Sequence, residues 1–95
     1  MGLLTPELVR KESIPSCHFD WEEKLSSPLD QQIREDKIFR AMIMGNTYKK
    51  KALITFDTLD GIKQVETTVW AATERNVILK DGITIPRCNI LEIDI

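Results

Sequence analysis

Along the second half of the chain apolar and polar residues alternate with a period of two, and the alternation breaks at turn-forming pairs. Lys49, Lys51, Thr55 and Asp57 alternate with Lys50, Ala52, Ile54 and Phe56, which predicts a half-buried strand with Ala52, Ile54 and Phe56 on its inner side. Leu59-Asp60-Gly61 then turns the chain. Over Ile62–Thr73, Val65, Thr67, Val69 and Ala71 share one side, while Gln64, Glu66, Thr68 and Trp70 project from the other. That stretch reads as one long strand able to bend. Val77–Lys80 is a third strand, and Asp81-Gly82 is a two-residue hairpin signal. Ile83–Ile85 makes a fourth, Pro86–Asn89 a helical turn, and Ile90–Ile95 a fifth.

Upstream the period lengthens. Ser26-Ser27-Pro28, followed by Leu29 and Asp30, combines a serine cap, a proline in the first turn and a carboxylate near the positive end of the helix dipole. Leu29, Ile33, Phe39, Met42 and Ile43 recur at three-to-four-residue intervals, and Gly45-Asn46 supplies a left-handed stop, so a helix is expected over Pro28–Met44. The rival reading makes Lys37–Met44 a strand and Gly45-Asn46 its hairpin turn. Residues 1–27 read as an N-terminal arm, with a short helix starting at Thr5-Pro6, partly docked through Leu3, Leu4, Ile14, Phe19 and Trp21. Residues 28–95 then form the folded domain.

Five short strands joined by tight turns leave exposed edges unless the sheet closes. The expected fold is therefore mainly β with an N-terminal helix: a five-stranded antiparallel small barrel of SH3-like or Sm-like form. Asp60-Gly61 after the first strand, Gly82 in the third turn, and the alternating Ile83, Ile85, Ile90 and Ile93 carry a resemblance over Asp36–Ile95. In these features the chain resembles the small bacterial Rho-binding antiterminator proteins, in which a short helix leads into a Sm-like barrel. The resemblance implies that fold and a connection to Rho or RNA. The chain has no counterpart of the acidic, cysteine-containing approach to that family's helix.

The length of 95 residues allows one domain and rules out a multidomain enzyme. Thirteen Lys and Arg against fifteen Asp and Glu leave a net charge of −2, so no global basic field draws in nucleic acid. The arm carries that imbalance, with Arg10, Lys11 and Lys24 against Glu7, Glu12, Asp20, Glu22 and Glu23. Apolar runs stay far below the roughly 20 residues of a membrane span. The first residues lack the charged start and apolar stretch of a secretory signal. Two widely spaced cysteines, Cys17 and Cys88, read as free thiols, and the expected compartment is the cytoplasm.

Catalytic parts are scarce. Cys17 and the single histidine, His18, are neighbours whose side chains diverge in an extended segment. Cys17, His18, Asp20 and Cys88 lack the short ligand pairs of structural zinc. Glu22-Glu23 and Glu35-Asp36 sit in polar stretches where both members stay ionised. The glycines are isolated and form no phosphate loop. No catalytic residue, metal or cofactor is expected, and the reading is a non-enzymatic binding or adaptor module. Its candidate contacts are Tyr48, Lys49, Lys50 and Lys51, flanked by Arg34, Lys37 and Arg40, together with Trp70. Three lysines at a strand start also guard an edge against unwanted pairing. Trp70 points away from the expected interior, so either the helix and arm cover it or it anchors a partner. A protein partner ranks ahead of RNA, whose binding by the same lysines would weaken steeply with salt. A third reading is a homodimer paired through Leu91, Ile93 and Ile95.

Overall fold

The computed structural model describes residues 5–95, so Leu3 and Leu4 of the arm lie outside the described residues. In chain order the elements are β1 (Glu7–Leu8), α1 (Pro28–Tyr48), β2 (Ala52–Thr58), β3 (Gly61–Thr67), β4 (Val69–Ala72), β5 (Asn76–Leu79), β6 (Thr84–Pro86) and β7 (Ile90–Asp94). Short 3-10 turns cover Lys11–Ser16, Lys80–Gly82 and Arg87–Asn89. The architecture is not the expected five-stranded barrel behind an N-terminal helix. Among the described residues seven strands form two sheets, ordered β1-β3-β2-β7 and β4-β5-β6, with no closed barrel, and the helix lies in the middle of the chain.

The chain changes sheets at Thr68. The stretch expected as one bending strand runs antiparallel to β2 as far as Thr67, opposite Ala52, and then leaves. Its continuation, β4, pairs antiparallel with β5, with Val69 opposite Leu79. The Lys80 N–H donates to the Thr68 carbonyl at 2.9 Å, which commits the crossover to the second sheet. Period-two alternation continues through the crossover, so the sequence pattern carries no mark of it. Alternation is right for the inner side of β2, where Ala52, Ile54 and Phe56 are buried, and for Val65, Thr67 and Val69, but Ala71 is only half-buried and Thr68, expected on the outer side, is buried; Val77, Leu79, Ile85, Ile90 and Ile93 complete the core. Asp81-Gly82 is part of a longer turn than the expected hairpin. Both residues have positive φ, 69° and 79°, and the Leu79 N–H donates to Ile83 O at 2.7 Å.

No helix begins at Thr5-Pro6; the first element of the described residues is a strand. β1 lies parallel to β3, with Glu7 opposite Lys63 and Leu8 opposite Gln64, so the first sheet is mixed. Ile14, in the turn over Lys11–Ser16, is buried, and that turn packs against β3 and β6. The Phe19 ring meets Phe56 with centroids 6.1 Å apart.

Helix α1 starts where the sequence places it, with the Ser27 side chain accepting from the Asp30 N–H at 3.4 Å and Pro28 in the first turn. Its end differs. Gly45-Asn46 does not stop the helix, which runs on to Tyr48 and closes on Lys49 in the left-handed region (φ 55°). The Lys49 and Lys50 N–H groups donate back to Gly45 O and Met44 O at 3.0 and 3.2 Å. Gly45 answers a packing demand instead: a Cβ there would lie 2.5 Å from Val69 O and 2.9 Å from Thr68 Cγ2. Packed this closely, α1 rests on β4 and on β7, an edge strand of each sheet. It seals with side chains a seam that a barrel would seal with hydrogen bonds.

Gly45→Ala is expected to lower stability by about 1–3 kcal/mol through overpacking, despite a gain in helix propensity of about 1 kcal/mol. Thermal unfolding followed by circular dichroism checks this, and a variant melting at or above the parent temperature contradicts the close approach.

Candidate protein-docking face

Helix α1 carries its bulk on the outside. The residues it buries are Arg34, Ile38, Ala41 and Gly45, two of them small. Leu29, Ile33, Phe39 and Ile43 are 68%, 43%, 60% and 45% exposed. These four are most of the apolar set that gives the helix its periodicity; only Met42 of that set packs against the core. At Gly45 the backbone at Val69 leaves no room for a Cβ, while Ile38 and Arg34 are buried on the same side and Leu29, Ile33, Phe39 and Ile43 lie on the opposite one. Two shallow grooves run between this face and β7. One, of about 440 Å³, is lined by Arg40, Ile43, Met44, Lys50 and Ile95. The other, of about 270 Å³, includes Asp30, Ile33, Lys37, Leu91 and Glu92 in its lining. The exposed apolar residues thus fall in two groups, Leu29 with Ile33 and Phe39 with Ile43, with charged Asp36 and Arg40 also exposed on this side, and exposed large apolar groups beside charge are a surface signature of protein contact.

Ion pairs between the arm and the body hold that face in place. Arg34 is 5% exposed, and its two terminal nitrogens donate to Glu23 Oε2 and Oε1 at 2.7 and 2.6 Å. Nη1 also donates to Ile90 O at 3.1 Å, so one guanidinium joins the arm, α1 and the start of β7. Within the body, Glu35 Oε1 forms an ion pair with Arg87 Nη1 at 2.9 Å. The hydrogen bonds from Arg34 hold the Glu23 carboxyl below its ordinary range against the opposing effect of burial. Three residues earlier, Asp20 binds the Lys24 ammonium and accepts from the Glu22 N–H and from Asn89 Nδ2, each at 3.0 Å. Together these bonds lower its pKa to about 2. Asn89, fully buried, also donates to Asp57 O at 3.3 Å. Between the two anchors Trp21 takes a left-handed backbone (φ 60°), with the Arg75 guanidinium 5.3 Å from its ring centroid.

The structure distributes the residues singled out in the sequence. Tyr48, the last residue of α1, is exposed, and Lys49 is its left-handed cap. Lys50 lines the groove beside Ile43, whereas Lys51 lines a separate groove with Leu8, Arg10, Glu66 and Lys80. The lysines therefore do not form one strip. Of the helix cations, Arg34 is consumed in its buried ion pair, while Arg40 stays on the outer side. Trp70 is the extra residue of a bulge between β4 and β5, since Val69 pairs with Leu79 and Ala71 with Ile78. It is exposed, not covered by the helix and arm, and its carbonyl accepts from Asn46 Nδ2 at 3.1 Å. Ile93 is buried in the core, and Leu91 is the extra residue of a second bulge, in β7. The outer apolar face of α1 escapes sequence reasoning because its periodicity reads as a core face; the small residues Ala41 and Gly45, four apart, are the signal that marks the true inner side.

Among the described residues no three His, Cys, Asp or Glu side chains converge as a metal site. Cys17 and Cys88 are free thiols, and burial pushes both upward in pKa. Among the described residues no helix is long and apolar enough to cross a membrane. Comparison with protein-family models, with curated proteins and with solved structures found no match.

The lowered pKa values set an acid limit on arm docking. Asp20 and Glu23 are both depressed in the folded state, so their contributions are complete above the unfolded carboxylate range, about pH 4–5, and are lost in acid, that of Asp20 as pH falls toward about 2. Asp20→Asn is expected to be less stable than the parent at neutral pH and to converge with it near pH 2, as read by urea midpoints across that interval. Parallel curves for the two proteins contradict the assignment.

Proposed function

We propose that this chain is a non-enzymatic protein-binding module that docks its partner on the outer face of α1. The observation that carries the reading is the inversion of the helix: Ala41 and Gly45 face the core while Leu29, Ile33, Phe39 and Ile43 face solvent. Lys50 borders the face at one end, exposed Tyr48 extends it, and Arg40 stands within it between Ile33 and Ile43. Large apolar anchors beside charge favour a protein surface over RNA, whose recognition calls for a continuous cationic track with stacking platforms. The division of Lys50 and Lys51 between separate grooves supports the same preference. A cytoplasmic setting belongs to the proposal, in keeping with two free thiols.

A photoreactive amino acid placed at Phe39 in cells is expected to yield protein adducts, while the same probe at exposed Thr73 yields few. Equal yields at the two positions contradict the reading, and adducts dominated by RNA assign the face to nucleic acid instead.

A further inference from the structure

Six residues on the outer face of α1, Leu29, Ile33, Asp36, Arg40, Ile43 and Thr47, are all exposed and follow one another at spacings of four, three, four, three and four. That is the a/d spacing of a coiled coil, with Leu29, Ile33 and Ile43 apolar and Asp36, Arg40 and Thr47 polar, on the solvent side of a helix already packed on its opposite side. An isolated seam of this kind needs a second helix, and its charges state which one. In an antiparallel pair related by a two-fold axis level with Ile38, a and d positions share layers. Leu29 then meets Thr47 of the other copy, Ile33 meets Ile43, and Asp36 meets Arg40, each contact occurring twice. In a parallel pair Asp36 faces Asp36 and Arg40 faces Arg40, a like-charge arrangement that opposes association. Asp36 accepts only from Gln32 Nε2, at 3.0 Å within the helix, and among the described residues neither Asp36 nor Arg40 forms an ion pair.

We infer that the partner seated on this face is a second copy of the chain, joined through an antiparallel α1–α1 seam with Asp36 and Arg40 as its register-setting pair. The inference rests on the docking-face reading and adds the identity of the occupant. It uses α1, not the β7 side chains Leu91, Ile93 and Ile95 expected from the sequence.

Sedimentation equilibrium over a range of concentrations tests it. The parent is expected to dimerise. Asp36→Arg and Arg40→Asp, each placing like charges across the seam twice, are expected to weaken the dimer by about ten-fold or more. Both substitutions lie on exposed positions, and an unchanged melting temperature at low protein concentration shows that each variant folds. Mixing the two variants in equal amounts is expected to restore association as a heterodimer. The introduced arginine of one copy then faces the introduced aspartate of the other, and the unaltered Arg40 of the first faces the unaltered Asp36 of the second. A parent that stays monomeric at about 1 mM overturns the inference, as does a dimer that both variants retain or a mixture that fails to associate. A monomeric parent that still gives protein adducts from the probe at Phe39 overturns only the second copy as occupant, leaving the docking face standing; the loss of both removes the face itself.

Discussion

The structure depends on one close approach, that of the α1 backbone to the crossover between the two sheets. Gly45 lies where any Cβ would meet the Val69 carbonyl at 2.5 Å, and Ala41 lies one turn earlier on the same side. This contact lets one helix lie against β4 and β7 together, and so lets two small open sheets share a core without closing into a barrel. A small domain buries a limited share of its surface, and sealing the seam with a helix recovers apolar burial that two separate sheets would lose. The turn over Lys11–Ser16 plays a corresponding part against β3 and β6 by inserting Ile14.

Charge then fixes what packing allows. The arm contributes few large apolar groups to the core, and its position is set by hydrogen-bonded ions: Glu23 on Arg34, and Asp20 on Lys24 and Asn89. A buried arginine gains little net stability from its ion pair once desolvation is counted, but its fork geometry specifies where the partner lies. Arg34 joins three segments distant in sequence, so it defines how the arm, the helix and β7 meet. Of the arm's five acidic residues, Asp20 and Glu23 make these contacts, while Glu7 pairs with Lys63 and Glu12 with Lys11.

The outer face of α1 follows from the same constraint. With the side that carries Gly45 turned inward, Leu29, Ile33, Phe39 and Ile43 fall on the exposed side. The fold thereby couples a structural requirement to an interaction surface. The bulge at Trp70 and the continuation of the helix through Gly45 shape the neighbouring end of that face, with Asn46 bonded to the Trp70 carbonyl.

Local features were legible from the residues alone: the Ser27-Pro28 start of α1, the inner side of β2, the turns at Asp60-Gly61 and Asp81-Gly82, and the helical turn before β7. They rest on capping, on φ preferences and on period-two burial, all of which act within a few residues. Long-range packing settled the rest. The change of sheet at Thr68 leaves alternation intact, so periodicity is blind to it. Steric depth at Val69 demands glycine at position 45, and the side of α1 that carries it, with Ala41, Ile38 and Arg34, is buried while Leu29, Ile33, Phe39 and Ile43 stay outside. Hydrophobicity along a chain states how much surface seeks cover, and only the distance between two backbones states which side chains have room to take it.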